Sequence, residues 1–185
     1  GVAYAKNRQK VFEDTSLDMV ITNFEAVNFL VKNQQLLTNF KNLVIDEFTA
    51  FKNKDAKRSK NIKKLSEIFE RRVGMSGTPN TNSILDLWHP VHLIDDGQHL
   101  GSRFYSYRNQ VCTPQFNGFA NVWTDKPGIE EVVANQLKDI TIRHALEDCI
   151  DLPDNIVRTV YTTLSPQVAK MYKTLAEESV LYTKQ

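Results

Sequence analysis

The chain has 185 residues, of which 41% are hydrophobic, and a formal net charge of +1, which is ordinary for one globular domain or for a domain with part of another. No run is long and apolar enough to span a bilayer, and the first residues lack the pattern of a secretion signal. The two cysteines give no disulfide framework, so we expect a reducing compartment.

Short apolar runs alternate with segments of helical spacing through the first half of the chain. Continuous apolar strands separated by helices predict an α/β fold with a parallel sheet that is covered on both faces. The predicted strands are 18–23, 43–45 and 72–78, and the predicted helices lie at 24–37 and along the face formed by Ile62, Leu65, Ile68 and Phe69.

Capping signals mark three further helices. The Asn-Ser pair at 82–83 can cap a helix in which Pro90 is expected to cause a kink or an end. Pro127 is expected in the first turn of the next helix, and the Ser-Pro pair at 165–166 opens the last one. The apolar positions of these helices are Ile84, Leu87 and Trp88; then Val132, Val133 and Leu137; and finally a predicted buried stripe of Val168, Met171, Tyr172 and Leu175.

Three other segments of the second half have less regular patterns. The stretch 95–124 is rich in Gly, Asn and aromatic residues and shows little periodicity, so we expect an irregular excursion. Residues 140–143 are interpreted as a short strand or an extended linker. The alternation over 156–164 predicts a strand.

The most informative residues follow the strand at 43–45. Asp46 and Glu47 stand at its carboxyl end, where ligands bind in sheets of this type. One carboxylate suffices to hold Mg²⁺, and an adjacent carboxylate can polarise an attacking water. We interpret Asp46 as the magnesium ligand and Glu47 as the residue that positions or deprotonates water. An acidic pair that caps a helix or faces solvent is the alternative interpretation.

A Ser-Gly-Thr-Pro turn, beginning at Ser76, ends the strand predicted at 72–78. Its hydroxyl groups could sense a γ-phosphate or bond to Asp46 and Glu47, although Gly and Pro after a strand also mark ordinary turns. No G-x-x-x-x-G-K-[ST] phosphate loop occurs in the 185 residues. The sequence therefore has one half of a nucleotide-hydrolysing site without the other half.

A basic block lies between these two motifs and carries few acids. It could face phosphate groups, and a solvated helix face is the equally simple interpretation. Its cations are Lys52, Lys54, Lys57, Arg58, Lys60, Lys63, Lys64, Arg71 and Arg72.

Five segments, taken together and in order, resemble the first motor lobe of the Swi/Snf-type DNA translocases of helicase superfamily two. These are ITNFEAV, VIDEFTAFKN and MSGTPNTNSILDLW, and later ITIRHALEDCIDLP and LSPQVAKMYKTL. The family shows an ITNYE-like segment, a DEAH-like box that ends in Lys-Asn, and a TGTP box, followed by the segment that joins its two lobes. The compact spacing resembles phage or bacterial members.

The resemblance implies a RecA-like parallel sheet of the P-loop NTPase type, and it implies roles for individual residues. Asp46 and Glu47 would be catalytic, with Asp46 holding Mg²⁺, and ATP and Mg²⁺ would be the cofactors of the complete enzyme. The residues implied in coupling are Thr49, Ser76, Gly77 and Thr78; those implied in binding duplex DNA are Thr22, Asn23, Lys52 and Asn53; and Arg143 would lie between the lobes.

The sequence departs from the family pattern in ways that bear on activity. Thr49 stands where the family has the His of its box, and Arg143 is followed by a His instead of a second Arg. The phosphate loop would lie upstream of residue 1 and the arginine finger of the second lobe would lie beyond residue 185. Because phosphoryl transfer depends on both, we expect these residues alone to be inactive and to hold no tightly bound cofactor.

The resulting hypothesis divides the chain into three parts. Residues 1–112 would form the C-terminal part of lobe one without its phosphate-loop strand, 113–150 an irregular or helical inter-lobe segment, and 151–185 a linker and the start of lobe two. The missing strand would leave a sheet edge that the upstream segment, another copy or a partner protein covers. We expect a cytoplasmic location in a bacterium or a phage-infected host, and no membrane partner.

Two other functional hypotheses remain open. The chain could be a non-catalytic module that binds DNA or a protein through this lobe. It could also be an unrelated α/β hydrolase, which a magnesium-dependent activity insensitive to DNA would favour.

Overall fold

The computed structural model describes residues 1–77, 82–144 and 157–178, and the chain divides into two units, Gly1–Ile142 and Arg143–Gln185. None of the helices within those described ranges is long and apolar enough to cross a membrane. The elements of the first unit are β1 (Val2–Ala3), α1 (Arg8–Glu13), β2 (Ile21–Thr22), α2 (Ala26–Lys32), β3 (Asn42–Ile45), α3 (Lys57–Ser66), β4 (Arg71–Gly74), α4 (Trp88–Asp95), α5 (Phe104–Val111), β5 (Cys112–Phe116), β6 (Asn121–Asp125) and α6 (Ile129–Gln136). Short 3₁₀ helices lie at Gln34–Leu37, Phe48–Phe51 and Ile84–Leu87.

The strands of the first unit pair in twos. β1 pairs with β2 and β3 pairs with β4, both in parallel, and β5 pairs with β6 in an antiparallel hairpin. A parallel pair needs a crossover, and α3 supplies it between β3 and β4. The predicted α/β class with parallel strands is confirmed, although the predicted strands at 18–23 and 72–78 are shorter in the structure, as β2 and β4.

A first hydrophobic core fills the space between these parallel strands and helices α1 to α4. Phe51 and Leu93 are completely buried in it, and the Phe24 ring packs edge-on against the Phe51 ring at 5.0 Å between centroids. The buried members of this core are Ala3, Phe12, Ala26, Val27, Leu30, Leu37, Ile45, Phe51, Ile62, Leu65, Phe69 and Leu93. Ile62 and Leu65 lie on the face predicted from their spacing. Ile68 lies beyond the end of α3 and is exposed.

The opposite side of the β3–β4 pair is open. Ile45 is 4% exposed, whereas its neighbour Val44 is 58% exposed and Val73 is 50% exposed. Successive side chains of a strand point to opposite faces, so one face of this pair packs on the core and the other meets solvent. The prediction that the sheet is covered on both faces does not hold within the described residues.

A second core lies beside the first and contains the hairpin. The stretch 95–124, expected to be irregular, instead forms α5, β5 and the first part of β6, so that expectation is wrong. The apolar residues of α5 are few and mostly aromatic, and only Tyr107 and Val111 of that helix are buried. The buried residues of this core are Ile84, Leu87, Trp88, Val91, Leu100, Tyr107, Val111, Cys112, Val133 and Leu137.

Local capping explains where several helices begin and end. Ser83 accepts a hydrogen bond from the Leu85 backbone N–H, as expected, and starts the 3₁₀ helix Ile84–Leu87. Helix α4 follows directly, so Pro90 lies in its first turn, where a missing N–H costs nothing. The kink or end expected at Pro90 is thus replaced by a change of helix type just before it.

Two helices differ from their predicted extents. The helix predicted over 24–37 is interrupted at Asn33, whose φ of −130° is not helical and whose side chain donates to the Phe29 carbonyl at 2.8 Å. Pro127 lies just before α6 instead of in its first turn, because Gly128 with φ 73° precedes the helix. Val133 is buried on α6, whereas Val132 is exposed.

The second unit contains helix α7 (Pro166–Glu178). Its start agrees with the prediction, since Ser165 accepts a hydrogen bond from the Val168 N–H at 3.4 Å. Of the strand predicted over 156–164, residue 156 lies outside the described residues. Residues 157–164 are exposed and form no strand, and no strand among the described residues pairs with them. The predicted stripe of α7 is not buried either, with Tyr172 63% exposed. The other predicted strand or linker, 140–143, has no regular structure.

Candidate functional site

The two motifs of interest follow neighbouring parallel strands. Ile45 of β3 lies opposite Gly74 of β4, so the residues after both strands leave the sheet at the same edge. The Met75 N–H donates to the Ile45 carbonyl at 2.8 Å, and the Phe48 N–H donates to the Met75 carbonyl at 3.0 Å. These bonds extend the pairing past the strands and fix the Asp46–Glu47 turn against the start of the Ser-Gly turn.

The acidic pair lies on a tight, exposed turn. Glu47 has φ 48° and ψ 50°, a left-handed conformation that a residue with a Cβ adopts at a cost. The Asp46 carboxylate accepts a hydrogen bond from the Glu47 backbone N–H at 3.0 Å and so supports the turn. The Ser76 hydroxyl donates to the Glu47 carboxylate at 3.4 Å. The structure therefore brings Glu47 and Ser76 together, as the sequence suggested.

Gly74 permits this arrangement because a Cβ there would lie 2.5 Å from the Phe48 ring. Phe48 starts the 3₁₀ helix Phe48–Phe51, which also contains Thr49, and the ring of Phe48 packs against the first core. At Gly77, which directly precedes residues outside the described ranges, no atom of a described residue other than its chain neighbours lies within 4 Å of the point that a Cβ would occupy. Thr78, predicted to take part in coupling, lies outside the described residues.

Two contacts join the residues at the end of the Phe48–Phe51 helix to the segment that follows the Ser-Gly turn. The Lys52 ammonium forms an ion pair with the Asp86 carboxylate at 3.0 Å. The buried His89 ring contacts the Phe51 carbonyl through Nδ1 at 2.7 Å. Burial lowers the pKa of His89 to about 4, so the ring is neutral at pH 7 and donates its Nδ1–H to that carbonyl. Both contacts join the Phe48–Phe51 helix to the elements Ile84–Leu87 and α4.

Asp125 is a residue of this region that the sequence analysis missed. Its carboxylate, at the end of β6, accepts hydrogen bonds from the Ser83 hydroxyl at 2.7 Å and the Ile84 N–H at 2.9 Å, and one from the Cys112 thiol at 3.2 Å. Burial alone would raise the pKa of Asp125, but these hydrogen bonds outweigh it and hold the pKa below its ordinary value. A residue 41 positions away thus caps the helix after the Ser-Gly turn.

The residues predicted to contact DNA do not form one cluster of contacts. Thr22 donates its hydroxyl to the Ala3 carbonyl at 2.9 Å, and Asn23 accepts a hydrogen bond from Arg8 at 3.1 Å. Asn53 accepts the Asp55 N–H at 3.0 Å and so stabilises the turn before α3. Arg143, the predicted inter-lobe residue, is exposed at the start of the second unit.

The donor set at the strand ends fits a hard divalent cation held by few protein ligands. Asp46 offers an exposed carboxylate, and Mg²⁺ is commonly bound by one or two carboxylates together with water and substrate phosphate. Among residues 1–77, 82–144 and 157–178, no group of three or more His, Cys, Asp or Glu side chains could enclose a metal. The exposed Asp46 carboxylate is of the chemical type that would hold a magnesium ion together with water and a nucleotide phosphate.

The fold and the paired motifs define the class as an α/β lobe that carries an acidic pair and a Ser-Gly turn at the carboxyl ends of adjacent parallel strands. The profile of the SNF2-related domain matches residues 3–185. The chain therefore belongs to the SNF2-related domain family, and the resemblance drawn from the motifs is confirmed. ATP and Mg²⁺ are the cofactors that membership of this ATPase family implies for an intact enzyme.

Two curated relatives are similar to this chain over most of its length. Protein p41 of Acyrthosiphon pisum secondary endosymbiont phage 1 is 23% identical over 97% of this chain and 41% of its own length. The human TATA-binding protein-associated factor 172 is 26% identical over 81% of this chain and 9% of its own length. The chain thus spans less than half of the curated relatives it matches.

A solved structure shows the same fold. The Sulfolobus solfataricus SWI2/SNF2 ATPase core, determined in complex with double-stranded DNA, is 25% identical with a TM-score of 0.59. The similarity covers 96% of this chain and 36% of that one. The RecA-like α/β class predicted from the sequence is therefore confirmed as that of an SNF2 ATPase core lobe.

Proposed function

We propose that these residues form part of the first motor lobe of an ATP-driven translocase on duplex DNA. The observation that carries the proposal is the hydrogen bond from the Ser76 hydroxyl to the Glu47 carboxylate, at 3.4 Å, just after two neighbouring parallel strands. In this proposal residues 1–112 belong to lobe one, 113–150 to the inter-lobe segment, and 151–185 to the linker and the start of lobe two.

Asp46 would hold Mg²⁺, which when bound neutralises charge on the nucleotide phosphates. Glu47 would orient the attacking water and take up its proton as the water oxygen bonds to the γ-phosphorus and the bond to the leaving oxygen breaks. The left-handed turn at Glu47 keeps its carboxylate within reach of the Ser76 hydroxyl. A change at Glu47 during hydrolysis would then alter this hydrogen bond and affect the segment that follows Ser76.

DNA would be held by its backbone, since a translocase must be indifferent to sequence. Support comes from the Sulfolobus neighbour, which was determined with double-stranded DNA. Thr22 and Asn23, at the end of β2, and Lys52 and Asn53, after the Phe48–Phe51 helix, are the proposed contacts. Lys52 already forms an ion pair with Asp86, so a DNA phosphate bound at Lys52 would compete with Asp86. Because that ion pair joins the two motifs, the competition could couple DNA binding to the Ser-Gly turn.

The 185 residues by themselves are proposed not to hydrolyse ATP, because they include no phosphate-cradling Gly-rich loop with its Lys. The test measures Mg-ATP hydrolysis with and without duplex DNA. The chain is assayed alone, with an added upstream segment that contains the phosphate loop of a relative, and with both that segment and a second lobe.

DNA-stimulated hydrolysis in the complete mixture, lost in Asp46→Asn and Glu47→Gln but kept in Asp18→Asn and Glu131→Gln, is the expected result. The first two substitutions should lower the rate at least ~100-fold, as for loss of a general base. Hydrolysis by the unmixed chain would refute the proposed incompleteness. Complete mixtures that bind DNA but never hydrolyse ATP would refute the motor function.

The last outcome corresponds to a second candidate, a non-catalytic module that binds DNA or a protein. One observation favours it: Thr49 stands where the family has a titratable His, so the usual link between hydrolysis and nucleic acid is altered. Unchanged DNA affinity in Asp46→Asn and Glu47→Gln, together with no hydrolysis in any mixture, would select this candidate.

A further inference from the structure

A basic cavity lies between helices α3 and α4, away from the acidic pair. It is a shallow depression of about 680 Å³ that is widely open to solvent. Five lysines line it, together with one carboxylate, Asp55, and the rings of Trp88, His89 and His92. The lysines are Lys54, Lys57, Lys60, Lys63 and Lys64. We refer to this feature as the lysine cavity.

The positive charge of the lysine cavity is only partly compensated by the protein. Lys54 pairs with Asp55 at 2.8 Å, and Lys63 pairs with Asp96 at 2.6 Å. In the part of the chain that the structure describes, no salt bridge includes Lys57, Lys60 or Lys64. Three like charges gathered on one helix repel one another, and an anion bound among them would relieve that repulsion.

The spacing of these lysines suits a phosphodiester strand. Positions 57, 60 and 64 follow one another at helical intervals of three and four residues, so their side chains share one face of α3. At 1.5 Å per residue they extend over about 10 Å, the length of duplex axis over which one DNA strand carries about three phosphates.

Aromatic rings pack beside the lysines. The Lys54 ammonium lies 5.2 Å and 5.4 Å from the ring centroids of Phe104 and Tyr105, and the Trp88 ring stacks on His92 at 4.9 Å. Burial lowers the pKa of both His89 and His92, so the lysines and not the histidines supply the positive charge at neutral pH. Rings already packed in this way lower the entropy cost of holding a ligand.

We propose that the lysine cavity binds phosphate oxygens of a DNA strand that passes Lys52 and Asn53, extending the DNA contact along helix α3. The inference rests on the proposed function. Continuity favours DNA over an acidic protein, because the cavity lining begins at Lys54, immediately after the proposed contacts. A lysine row without Arg also matches a point-charge contact with phosphates more closely than bidentate recognition of carboxylates.

The test compares the salt dependence of duplex binding for three proteins of 185 residues. They are the wild type, the triple variant Lys57→Gln/Lys60→Gln/Lys64→Gln, and a control of equal net charge, Lys10→Gln/Lys41→Gln/Lys138→Gln, whose exposed lysines do not line the lysine cavity. Each phosphate contact contributes about 0.9 to the slope of log K against log salt. We expect the slope to fall by about 2 to 3 in the cavity variant and to stay unchanged in the control.

The cavity proposal and the proposed function fail in different ways. If Lys52→Gln/Asn53→Ala weakens binding and the cavity variant does not, the cavity proposal is overturned and the DNA-binding function stands. If the wild type does not bind duplex DNA, both are overturned. Equal losses in the cavity variant and the control would also overturn the cavity site, by showing a bulk charge effect.

Two further measurements separate the alternative ligands. The first is isothermal titration calorimetry, in which the heat of tripolyphosphate binding is measured for the wild type and for the cavity variant. Tripolyphosphate that binds the cavity without displacing DNA would show a small-anion site and overturn the proposal, whereas competition with DNA supports it. Cavity-dependent binding of a poly-glutamate peptide with unchanged DNA binding would identify an acidic protein partner instead. Coincident urea transitions establish that the variants fold.

Discussion

At Glu47 a residue with a Cβ holds a left-handed backbone, one of two non-glycine residues that do so in the described chain, with Asp96 the other. Strain of this kind persists where surrounding bonds enforce it. Here the Phe48–Met75 and Met75–Ile45 hydrogen bonds do so from the neighbouring strand. The position of the candidate catalytic carboxylate is therefore maintained at a cost in stability.

Replacing Glu47 with Asn should increase the free energy of unfolding by about 0.5–1 kcal/mol, because Asn tolerates the left-handed region better. Urea denaturation measures the change. The same substitution at Glu131, on the exposed side of α6, should instead lower stability by a few tenths of a kcal/mol, about the difference in helix propensity. A loss at Glu47 as large as that at Glu131 would show that the turn is not strained.

Gly74→Ala should destabilise the chain by about 1–3 kcal/mol, since the added methyl group meets the Phe48 ring at 2.5 Å and must displace it. Gly77→Ala is the matched control, because no atom of a described residue other than its chain neighbours lies within 4 Å of its Cβ position. Chemical denaturation of both variants checks the difference. Equal stability of the two would mean that Phe48 shifts without cost.

At the scale of whole elements, the hairpin β5–β6 supports the segment that follows the Ser-Gly turn, and helix α4 supports the Phe48–Phe51 helix. The hairpin does so through the Asp125 carboxylate, and α4 through the His89 ring on the Phe51 carbonyl. Tyr107 of α5 adds a hydrogen bond from its hydroxyl to the Ile84 carbonyl at 3.1 Å. Three separate elements thus hold the Ile84–Leu87 helix and its neighbour, the Phe48–Phe51 helix, through polar contacts.

Asp125→Ala should lower the free energy of unfolding by about 1–3 kcal/mol, because the Ile84 N–H and the Ser83 hydroxyl lose their acceptor in a half-buried site. Asp125→Asn, which keeps one acceptor oxygen, should cost less. Thermal and urea unfolding report the order. Asp18→Ala, at an exposed position, serves as control and should change stability by less than about 0.5 kcal/mol.

The buried His89 predicts a specific pH dependence. Its pKa in the folded chain is about 4, below the value of about 6.5 in an unfolded chain, so the unfolded state binds a proton first as the pH falls. Stability from neutral His89 is complete above pH ~6.5 and is lost progressively towards pH ~4, by up to about 3 kcal/mol.

His89→Asn, which can still donate to the Phe51 carbonyl, should flatten the stability profile over this range. His99→Asn provides a control of opposite sign. Asp95 and Asp139 raise the pKa of His99, so the stability it contributes is present below pH ~6.5 and declines at higher pH. Urea midpoints of both variants from pH 4.5 to 8 measure the two effects. If the dependence of stability on pH seen in the wild type persists in His89→Asn, groups other than His89 cause it.

The elements that the sequence predicted well are those with strong local signals. Strand β3, which ends at Ile45, and the helical face of Ile62 and Leu65 were predictable because their buried residues are apolar. The cap at Ser165 was predictable because it needs only one hydroxyl group. The hairpin was missed because its strands are mostly exposed: Phe116 is 72% exposed, so no alternation of apolar residues marks it. The Asp125 cap acts across 41 positions, a distance at which local patterns carry no information.

At the scale of the whole molecule, the open face of the β3–β4 pair should tolerate polar substitution. The double variant Val44→Thr/Val73→Thr should change stability by less than about 1 kcal/mol, because both side chains are at least half exposed. Ile45→Thr, one position along the same strand but 4% exposed, should cost about 2–4 kcal/mol.

Denaturation curves test this contrast, and light scattering tests its consequence. If exposed Val44 and Val73 drive self-association, as apolar strand faces tend to, the double variant should remain monomeric at concentrations where the wild type associates. Costs of similar size for Val44→Thr and Ile45→Thr would show that both faces of the strand are covered in solution.

The base and the tip of the hairpin β5–β6 have different surroundings. At its base, Asp125 accepts hydrogen bonds from Ser83 and Ile84 and from the Cys112 thiol, whereas its tip exposes Phe119 almost completely. Asn117 closes the tip locally by accepting the N–H groups of Phe119 and Ala120. A longer or different tip would therefore leave the cap at the base intact. The hairpin is a position where new sequence can be inserted, and new specificity acquired, without disturbing the residues proposed for hydrolysis.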